Sequence, residues 1–594
     1  MSIPEFANHC GLLPLAVPVA AAVAVRLGDL AVPAGSPLER MLSGIVIALA
    51  LFVVGARVLA VVHLLSAPGV AGALGLSALV VFFVRPGTKV GFSLRSMWSW
   101  DSLPMVTVAA VALGMAAVVA YFLPVWQWDA LGYHLPFVNF ALSAHGLEGV
   151  PRDVPYLSTY PHDVELLMIG FRALLPDDTL VDAAQIPFGL AGALATAAIA
   201  RLHGAAPPHA AAAGSAWLVV PAVFLQLPTN YVDVASAAFL LGAGYYLLSP
   251  PSPRRLLLAG VATGLYLGTK PSAPVGTMIL FAWNVGRGIR ARWLLPTVLA
   301  AVLVPLLGAE SYVRNFLEHG NPVWPVRIDS GWLHLPGQLP MRDLLQSGAG
   351  APHVTGSLAN RVLRSWTSLT SLPAFDMRIG GLGPLFLLSL PVAAGSMIRD
   401  RRGGSLLLLA VSLASPDPAV ARYVLAFPAL SFAMAAPAWT RAAVRWSPWV
   451  GAAAAGIGLF QVAYAWPGLT GEGPPLQAYA RMSPEQRRAA VGADGSPSEW
   501  IHLRERVGPR ESFAYDESFE LPYLAWDSAM THGVTWIPPG LTVEAAGDLL
   551  ERSRARVIVA GEGTPALAWV ASHPERFVSL FRCKSTPCRV YARR

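Results

Sequence analysis

Residues 103–124 read LPMVTVAAVALGMAAVVAYFLP, and the segment WQWDALGYHLP follows almost directly at 126–136. The first segment carries no charge and is long enough to cross a bilayer, which takes about 20 apolar residues in a helix. The second segment places Asp129 where that helix ends, at the boundary between lipid and water. Ionisable groups this close to the apolar core are costly, so Asp129 indicates a functional site.

The composition of the whole chain is that of a membrane protein. Hydrophobic residues make up 55% of the 594 residues and charged residues only 13%, against about 25% charged in soluble domains. The mean hydropathy is +0.52. The net charge of +7 does not indicate a nucleic-acid partner, because the arginines stand in short clusters between apolar segments, where they set membrane topology.

Fourteen apolar segments predict an all-α polytopic membrane bundle of about fourteen transmembrane helices. They are residues 12–27, 41–65, 69–84, 103–124, 179–200, 211–227, 231–248, 255–269, 272–286, 293–309, 382–398, 404–415, 420–437 and 448–466. Five of the connecting loops carry the basic clusters, namely Arg85, Lys89, Arg95, Arg254, Arg255, Arg287, Arg290, Arg292, Arg399, Arg401, Arg402, Arg441 and Arg445. With fourteen spans all five loops fall on one side, which the positive-inside rule makes cytoplasmic. We therefore expect a multi-pass protein of the bacterial cytoplasmic (inner) membrane.

The same topology predicts which parts face outward. Residues 1–100 would hold the N-terminal transmembrane helices, and residues 101–466 the core with its long outer loops 125–178 and 310–381. Residues 467–594 change character near Gly468, where proline, glycine and charge increase. We expect them to form a small α/β domain on the periplasmic or extracellular side, with strands at 556–560 and 576–581 and helices at 499–506 and 543–553.

Two shorter features of this outer side are also predicted. Apolar residues at mixed three and four spacing in 163–175 favour a helix that lies along the membrane interface. Cys583 and Cys588 flank a Lys-Ser-Thr-Pro turn. A disulfide that closes a hairpin is expected if this end lies outside the cytosol, with two free thiols as the alternative.

Ionisable residues at five helix ends converge on the outer side, which favours a polar site there. They are Asp129, Asp233, Lys270, Arg314 and Arg422. Four of them also have structural explanations. Asp129 could cap the next helix, and Asp233 could be the first-turn acid of its own helix. Lys270 could extend its ammonium to the interface, and Arg422 could pair with Asp417 in a surface loop.

The sequence offers little support for metal or nucleotide chemistry. His134 and His162 could bind a metal, but no second ligand stands at helical spacing from either, so structural or substrate contacts are favoured. The chain has no glycine-rich phosphate loop, no HExxH and no Gly-x-Ser-x-Gly motif, so nucleotide-dependent and hydrolase chemistry have no support from motifs.

Five motifs follow one another along the chain, within roughly residues 100–440. They are Trp128-Asp129 with Tyr133-His134-Leu135-Pro136; Thr159-Tyr-Pro161 with Glu165; Asn230-Tyr-Val-Asp233 with Gly264-Leu-Tyr-Leu-Gly-Thr-Lys270; Tyr312-Val-Arg314-Asn315 with Gly320-Asn-Pro-Val-Trp-Pro325; and Ala421-Arg422-Tyr423. Together they resemble the GT-C superfamily of polytopic glycosyltransferases, in particular its bacterial protein O-mannosyltransferase-like and aminoarabinose-transferase-like members. Many members carry a second acid after the first-loop aspartate, where this chain has Ala130.

The resemblance implies that a sugar moves from a polyprenyl-phosphate donor to an acceptor hydroxyl, with inversion in a single displacement. Asp129 would be the general base. Lys270, Arg314 and Arg422 would meet the charge that grows on the lipid phosphate. The remaining expected substrate-binding residues are Tyr133, His134, Glu165, Asp233, Asn315 and Tyr423. The expected partners are the lipid-linked donor, a glycan, lipid or protein acceptor, and membrane lipids; no cofactor is certain, and a divalent metal stays open without the second acid.

Two other classes of protein remain alternatives. A multi-pass transporter or a lipid or glycolipid flippase would also carry intramembrane charges, although no internal repeat is apparent and the charges gather on one side. A membrane scaffold could use the outer loops and the tail to bind partners. Neither alternative would depend on a lipid-linked sugar.

Overall fold

The structure of the protein is a computed structural model, and it is mostly helical. It describes residues 3–83, 99, 102–340, 356–367, 381–400, 403–415, 417–442, 447–465, 476–484, 486–487, 506–583 and 586–594. The predicted helix at 499–506, except for its last residue, and the basic residues Arg85, Lys89, Arg95, Arg401, Arg402 and Arg445 lie outside the described residues.

Each of the fourteen predicted segments coincides with a helix, in some cases with a short helical turn beside it. The α-helices before the C-terminal domain are α1 Ile3–Cys10, α2 Leu13–Ala31, α3 Pro37–Val61, α4 Ala67–Phe83, α5 Leu103–Phe122, α6 Leu135–Ala144, α7 Pro155–Ser158, α8 Asp163–Ala173, α9 Ile186–Leu202, α10 Pro207–Leu218, α11 Pro221–Gln226, α12 Asp233–Leu248, α13 Pro253–Leu267, α14 Ala273–Arg290, α15 Leu294–Gly308, α16 Glu310–His319, α17 Leu358–Thr367, α18 Gly383–Asp400, α19 Gly403–Leu413, α20 Ala426–Ala442, α21 Ser447–Tyr464 and α22 Leu476–Tyr479.

Among the described residues, fewer helices are long and apolar enough to cross a membrane than the fourteen that the sequence predicts. Four helical segments of the described chain are long and apolar enough to cross a membrane, namely Leu13–Ala31, Pro37–Val61, Leu103–Phe122 and Val181–Leu202. A fifth is reached if α15 and α16, which are bent by 66°, count as one. Other apolar helices are shorter or broken, as where α10 ends and α11 begins again at Pro221. The helical membrane architecture is therefore confirmed, and the count of fourteen spans is not.

The helix predicted to lie along the membrane interface at 163–175 is instead buried, so this prediction is wrong. Helix α8 packs against α3 and α6, and most of its residues are inaccessible to solvent. The pattern misled because Asp163 and Glu165, which look like a solvated face, are buried and paired with Arg57 and His134.

Helix α12 separates two polar ends of the bundle. Asp233 begins it at one end. At the other end the Arg287 side chain donates to the carbonyls of Tyr246, Leu247 and Ser249. With a rise of about 1.5 Å per residue the two ends stand roughly 24 Å apart, so this arginine of the predicted cytoplasmic clusters lies far from Asp233.

Residues 506–594 hold the predicted α/β fold. The strands β4 Ser512–Tyr515, β5 Gly533–Trp536, β6 Ala555–Gly561, β7 Phe577–Arg582 and β8 Cys588–Arg593 form a five-stranded sheet in the order β5-β4-β6-β8-β7. β4 is parallel to β5 and β6, and β8 is antiparallel to β6 and β7. The helices α23 Val543–Ser553 and α24 Pro565–Ala571 accompany the sheet. The strands at 556–560 and 576–581 and the helix at 543–553 are thus confirmed.

The C-terminal domain packs directly on the helix that carries the opening motif. The ring of Trp526 meets that of Phe140 in α6, with 4.8 Å between ring centres. The hydroxyl of Tyr523 donates to Asp178 at 3.1 Å, and Arg172 donates to the Ser528 carbonyl at 2.8 Å. The aromatic contact reaches α6, and the two hydrogen bonds reach α8 and the loop after it, so the domain is anchored to both helices.

Cys583 and Cys588 are joined by a disulfide between β7 and β8, with their Cα atoms 5.2 Å apart. A cross-link over such a short loop removes about 2 kcal/mol of chain entropy from the unfolded state. We expect the variant Cys583→Ser/Cys588→Ser to lose about that much free energy of unfolding. Thermal denaturation of the full chain checks this. Reductant should lower the melting temperature of the parent and leave that of the variant unchanged; equal stability of the two proteins would contradict the prediction.

A second, small sheet lies between α16 and α17. Its strands are β1 Val326–Ser330, β2 Leu333–Leu335 and β3 Leu339–Pro340, in the order β2-β1-β3. β1 and β2 form an antiparallel hairpin, and β3 runs parallel to β1. Val326 and Ile328 of β1 face the cavity described next.

Candidate active site

A cavity of about 640 Å³ lies where the ends of several helices meet. Its walls come from the turn before α6, the segment from α7 into α8, the beginnings of α12 and α14, and the segments around β1 and after α19. Eight of the ten predicted site residues line this cavity, namely Asp129, Tyr133, His134, Glu165, Asp233, Lys270, Arg422 and Tyr423.

Asp129 lies at the beginning of a widened turn of helix. Residues Ala130–His134 form one π-helical turn that continues into α6, in which the Leu135 N–H donates to the Ala130 carbonyl. Single turns of this kind occur often at functional sites. Here Asp129 and Tyr133 both line the cavity. The Asp129 side chain makes no capping hydrogen bond to this helix, so the capping explanation is not observed.

Arg422 holds two carboxylates at the centre of the cavity. Its Nη1 lies 2.8 Å from Oδ2 of Asp129 and 3.6 Å from Oδ2 of Asp233. The guanidinium also lies over the rings of Tyr231 and Tyr423, at 4.6 and 5.1 Å from their centres. Cation–π contacts of this kind are stronger when water is excluded, and the Arg422 side chain is only 11% exposed. Arg422 is thus held in place from four sides.

Lys270 supplies the second cation. Its Nζ lies 3.0 Å from Oδ1 of Asp233 and 5.0 Å from the centre of the Tyr423 ring. The side chain is 14% exposed and lines the cavity, so it does not extend to the interface. Asp233 is in the first turn of α12, where an acid is favourable for the helix itself. Its carboxylate nevertheless contacts both Lys270 and Arg422. Because two acids oppose two cations, an entering anion would compete with these carboxylates.

The other side of the cavity is aromatic with a buried acid. Nδ1 of His134 lies 2.6 Å from Oε1 of Glu165. The ring of Tyr133 lies 5.9 Å from that of Tyr156 and 5.8 Å from that of Tyr160, between centres. Burial, and then the negative charge of Asp129, raises the pKa of Tyr133 well above its usual value. The phenol therefore stays protonated and available as a hydrogen-bond donor.

Arg314 and Asn315 are not among the residues that line the cavity. Nη1 of Arg314 lies 2.8 Å from Oε1 of Glu310, and its Nη2 donates to the Ser158 carbonyl. Asn315 is buried, and its Nδ2 donates to the Thr159 carbonyl at 2.8 Å. Both side chains hold the backbone of the adjacent cavity wall, and their predicted contact with substrate stays a prediction.

Sequence reasoning missed two ion pairs beside the cavity. Arg57 Nη2 lies 2.6 Å from Oδ1 of the fully buried Asp163. Arg361 Nη1 lies 2.7 Å from Oδ2 of Asp417, which lines the cavity, and so Asp417 is not the partner of Arg422. A signal existed for the first pair, because Arg57 is a single charge inside the apolar segment 41–65 and needs a partner. No local pattern joins Arg361 to Asp417.

Removal of the Arg57 side chain should destabilise the protein. In Arg57→Ala the Asp163 carboxylate keeps its burial and loses its cation, a change that costs about 3–5 kcal/mol in other proteins. Burial already raises the pKa of Asp163, so the carboxyl would take up a proton in the folded variant. Loss of the cation raises this pKa further, so the variant's deficit should be small at low pH and should grow as the pH rises through the folded-state pKa that Asp163 has in the parent.

Thermal denaturation in detergent between pH 4 and 8 measures this deficit. Arg57→Lys is the matched control, because it keeps the positive charge and should retain most of the stability. Equal melting temperatures of Arg57→Ala and the parent across that range would show that the pair does not stabilise the fold.

The described residues do not offer a metal site. Among them, no group of three or more His, Cys, Asp or Glu side chains could hold a metal ion. Asp129 and Asp233 are already paired with Arg422. His162 stacks on Phe137, with 4.0 Å between ring centres, and burial lowers its pKa well below the usual value. His162 is therefore a neutral ring within the core.

Solved structures with a similar fold exist. ArnT from Cupriavidus metallidurans in the apo state is 12% identical with a TM-score of 0.50, and the match covers 83% of this chain and 98% of ArnT. The same protein bound to undecaprenyl phosphate gives 13% and 0.47, with 82% and 97% covered. The apo oligosaccharyltransferase of Archaeoglobus fulgidus gives 13% and 0.37, with 82% and 74% covered. No protein-family model and no curated protein matches the sequence.

The bundle and its cavity define a polytopic membrane protein with a charged site at one end. The likeness to apo ArnT extends over most of both chains. The chain therefore has a fold similar to that of ArnT, which agrees with the fold that the five sequence motifs led us to expect.

Proposed function

We propose that the protein is a glycosyltransferase that moves a sugar from a polyprenyl-phosphate donor to an acceptor hydroxyl. The observation that carries this proposal is the meeting of one acid, Asp129, with two cations, Arg422 and Lys270, in a single cavity. The acid could accept the proton of the acceptor hydroxyl, and the cations could bind the phosphate of the donor. The fold and the resemblance of the motifs agree with this assignment.

The two cations would bind the phosphate of the donor. Arginine offers a planar fork of N–H donors that matches phosphate oxygens, and hydrogen bonds between charged partners are about twice as strong as neutral ones. Arg422 and Lys270 now hold carboxylates, which a phosphate would replace in part. Both cations lie in a site that is shielded from water, where they stabilise the negative charge that develops on the phosphate more strongly than they would in bulk solvent.

Asp129 would act as the base. An acceptor hydroxyl oxygen forms a new bond to the anomeric carbon while the bond from that carbon to the phosphate oxygen breaks. The bonding electrons leave with the lipid phosphate, whose negative charge increases and is met by Arg422 and Lys270. The hydroxyl proton passes to the Asp129 carboxylate. Attack from the side opposite the leaving phosphate inverts the anomeric centre, and a phosphate leaving group needs no general acid.

The aromatic side of the cavity would receive the acceptor. Tyr133 keeps its proton and can donate a hydrogen bond, and the His134–Glu165 pair presents further polar atoms beside it. Tyrosine rings bury an apolar face while the hydroxyl contacts polar groups, which suits the two faces of a sugar. The proposal covers glycan, lipid and protein acceptors, and hexosyl or pentosyl donors.

We further propose that the cavity opens on the periplasmic or extracellular side of the cytoplasmic membrane, with the C-terminal domain on that side. Arg287 lies at the far end of α12 from Asp233, as an arginine of a cytoplasmic loop would. The charged residues of the cavity gather at one end of this helix. A transporter or flippase would need polar groups along a path through the bundle.

The test is to incubate the purified protein with a panel of polyprenyl-phosphate sugars and measure release of free polyprenyl phosphate. Release that depends on one sugar and on an added acceptor supports the proposal, and Asp129→Asn is the negative control. In parallel, the protein in liposomes is tested for translocation of a labelled glycolipid. Translocation without release of lipid phosphate from any donor would favour the flippase alternative and overturn the proposal.

A further inference from the structure

Helix α16 has an exposed apolar face and a buried polar face. Val313, Phe316 and Leu317 are 54%, 57% and 77% exposed, and their spacing of three and four residues places them on one side of the helix. Ser311 and Asn315 on the other side are buried. Large apolar side chains that form a continuous exposed face mark a surface that meets another apolar phase.

The buried face of α16 holds both walls of the cavity. The Tyr312 hydroxyl donates to the carbonyls of Leu267 and Lys270, at 3.3 and 3.1 Å. The Asn315 amide donates to the Thr159 carbonyl on the aromatic side of the cavity. Since Lys270 belongs to the charged side, one short helix braces the backbone of both sides.

The exposed face continues an exposed apolar surface of the preceding helix. In α15 the residues Leu295, Val298, Val302 and Leu306 are all exposed, while Thr297, Ala300, Val304 and Leu307 on the opposite side are buried. After Leu306 the chain bends by 66° into α16. A helix that turns away from the axis of a membrane helix, with one apolar and one polar face, has the features of an interfacial helix.

We infer that α16 rests in the membrane interface, with Val313, Phe316 and Leu317 in the acyl-chain region on the side of the cavity. The partner of this surface is the lipid bilayer. The contact lowers the free energy by burial of apolar area, and it sets the depth of the cavity walls that α16 braces. It is independent of what the cavity binds, so it stands or fails separately from the proposed transferase activity.

Spin labels at two neighbouring positions of α16 test this inference. The only described free cysteine, Cys10, is buried, so Leu317→Cys and Glu318→Cys are made in a Cys10→Ser background that keeps the disulfide. Position 318 is the matched control, because it is exposed and is turned by about 100° along the helix from 317. In liposomes, relaxation of each label is measured with oxygen, which concentrates in lipid, and with a water-soluble nickel chelate.

The label at 317 should respond mainly to oxygen, and the label at 318 mainly to the nickel chelate. Equal access of the chelate to both labels would show that α16 stands in water and would overturn the inference. Access of oxygen alone to both labels would place the whole helix within the bilayer as part of a bent span, which also overturns it. Spin–spin broadening at 317 would show that a second copy of the chain covers this face, and the bilayer would then not be its partner.

Discussion

The variant Asp129→Asn should lower kcat by about 10²–10⁴-fold, the usual contribution of a general base, and should bind the lipid phosphate at least as tightly as the parent. Both effects follow from the position of the carboxylate, whose Oδ2 lies 2.8 Å from Nη1 of Arg422. An amide cannot accept the hydroxyl proton. The amide is also uncharged and competes less for the Arg422 guanidinium, so the lipid phosphate should bind this arginine more readily.

Two measurements separate the effect on catalysis from the effect on binding of the lipid phosphate. Release of lipid phosphate under saturating donor gives kcat, and a titration with polyprenyl phosphate alone gives the affinity of the phosphate site. Asp417→Asn is the matched control, because it makes the same change in the same cavity at a carboxylate that Arg361 holds. Its effect on kcat should be much smaller. Full transfer activity in Asp129→Asn, or a loss explained entirely by weaker phosphate binding, would remove Asp129 from the role of base.

Much of this site could be predicted from the sequence because each residue stands at the end of an apolar segment. Asp129, Asp233 and Lys270 are visible in this way, since a charge next to a membrane helix is costly unless it has a use or a partner. The ion-pair partners of these residues were harder to predict from the sequence. Arg422 could be assigned to Asp417 by sequence proximity, whereas the structure joins it to Asp129, far away in the chain.

One error and two differences between the sequence-based expectation and the structure have physical causes. The pattern at 163–175 predicts a surface helix because its acids look solvated, yet Asp163 is balanced by Arg57 from another helix. The motif of Arg314 groups it with the phosphate-binding residues, but it pairs with Glu310 one helical turn away. Hydropathy predicts more spans than the four or five that helix length supports among the described residues, because it does not register breaks such as those before α11 and α20.

Arg422→Ala should be the most damaging single change in the cavity. Asp129 would lose its cation, and Asp233 would keep only Lys270. An uncompensated buried charge costs about 3–5 kcal/mol, so the variant should melt at a lower temperature than the parent. The transition state should lose stabilisation of the leaving phosphate as well, which for one such donor lowers kcat by about 10²–10³-fold.

Arg314→Ala is the matched control for this arginine. The sequence places both residues in the phosphate site, and the structure leaves Arg314 outside the cavity in an exposed pair with Glu310. Pairs of that kind contribute about 0.2–1 kcal/mol, and the hydrogen bond from Arg314 to the Ser158 carbonyl is lost as well. The melting temperature should therefore fall less than in Arg422→Ala, and KM for the donor should change little. If Arg314→Ala raised KM for the donor as much as Arg422→Ala, the phosphate would bind elsewhere than between Arg422 and Lys270.

The double variant Asp129→Asn/Arg422→Ala distinguishes the two roles of the arginine. Residues in direct contact give non-additive effects in a double-mutant cycle. Because the amide that replaces the Asp129 carboxylate carries no charge, the double variant should recover much of the stability that Arg422→Ala loses. It should not recover transfer, since both the base and the phosphate contact are then absent. Recovery of stability without activity would show that Arg422 balances the charge of Asp129 in the resting protein, whereas a double variant as unstable as Arg422→Ala would show that the arginine stabilises the fold through its other contacts.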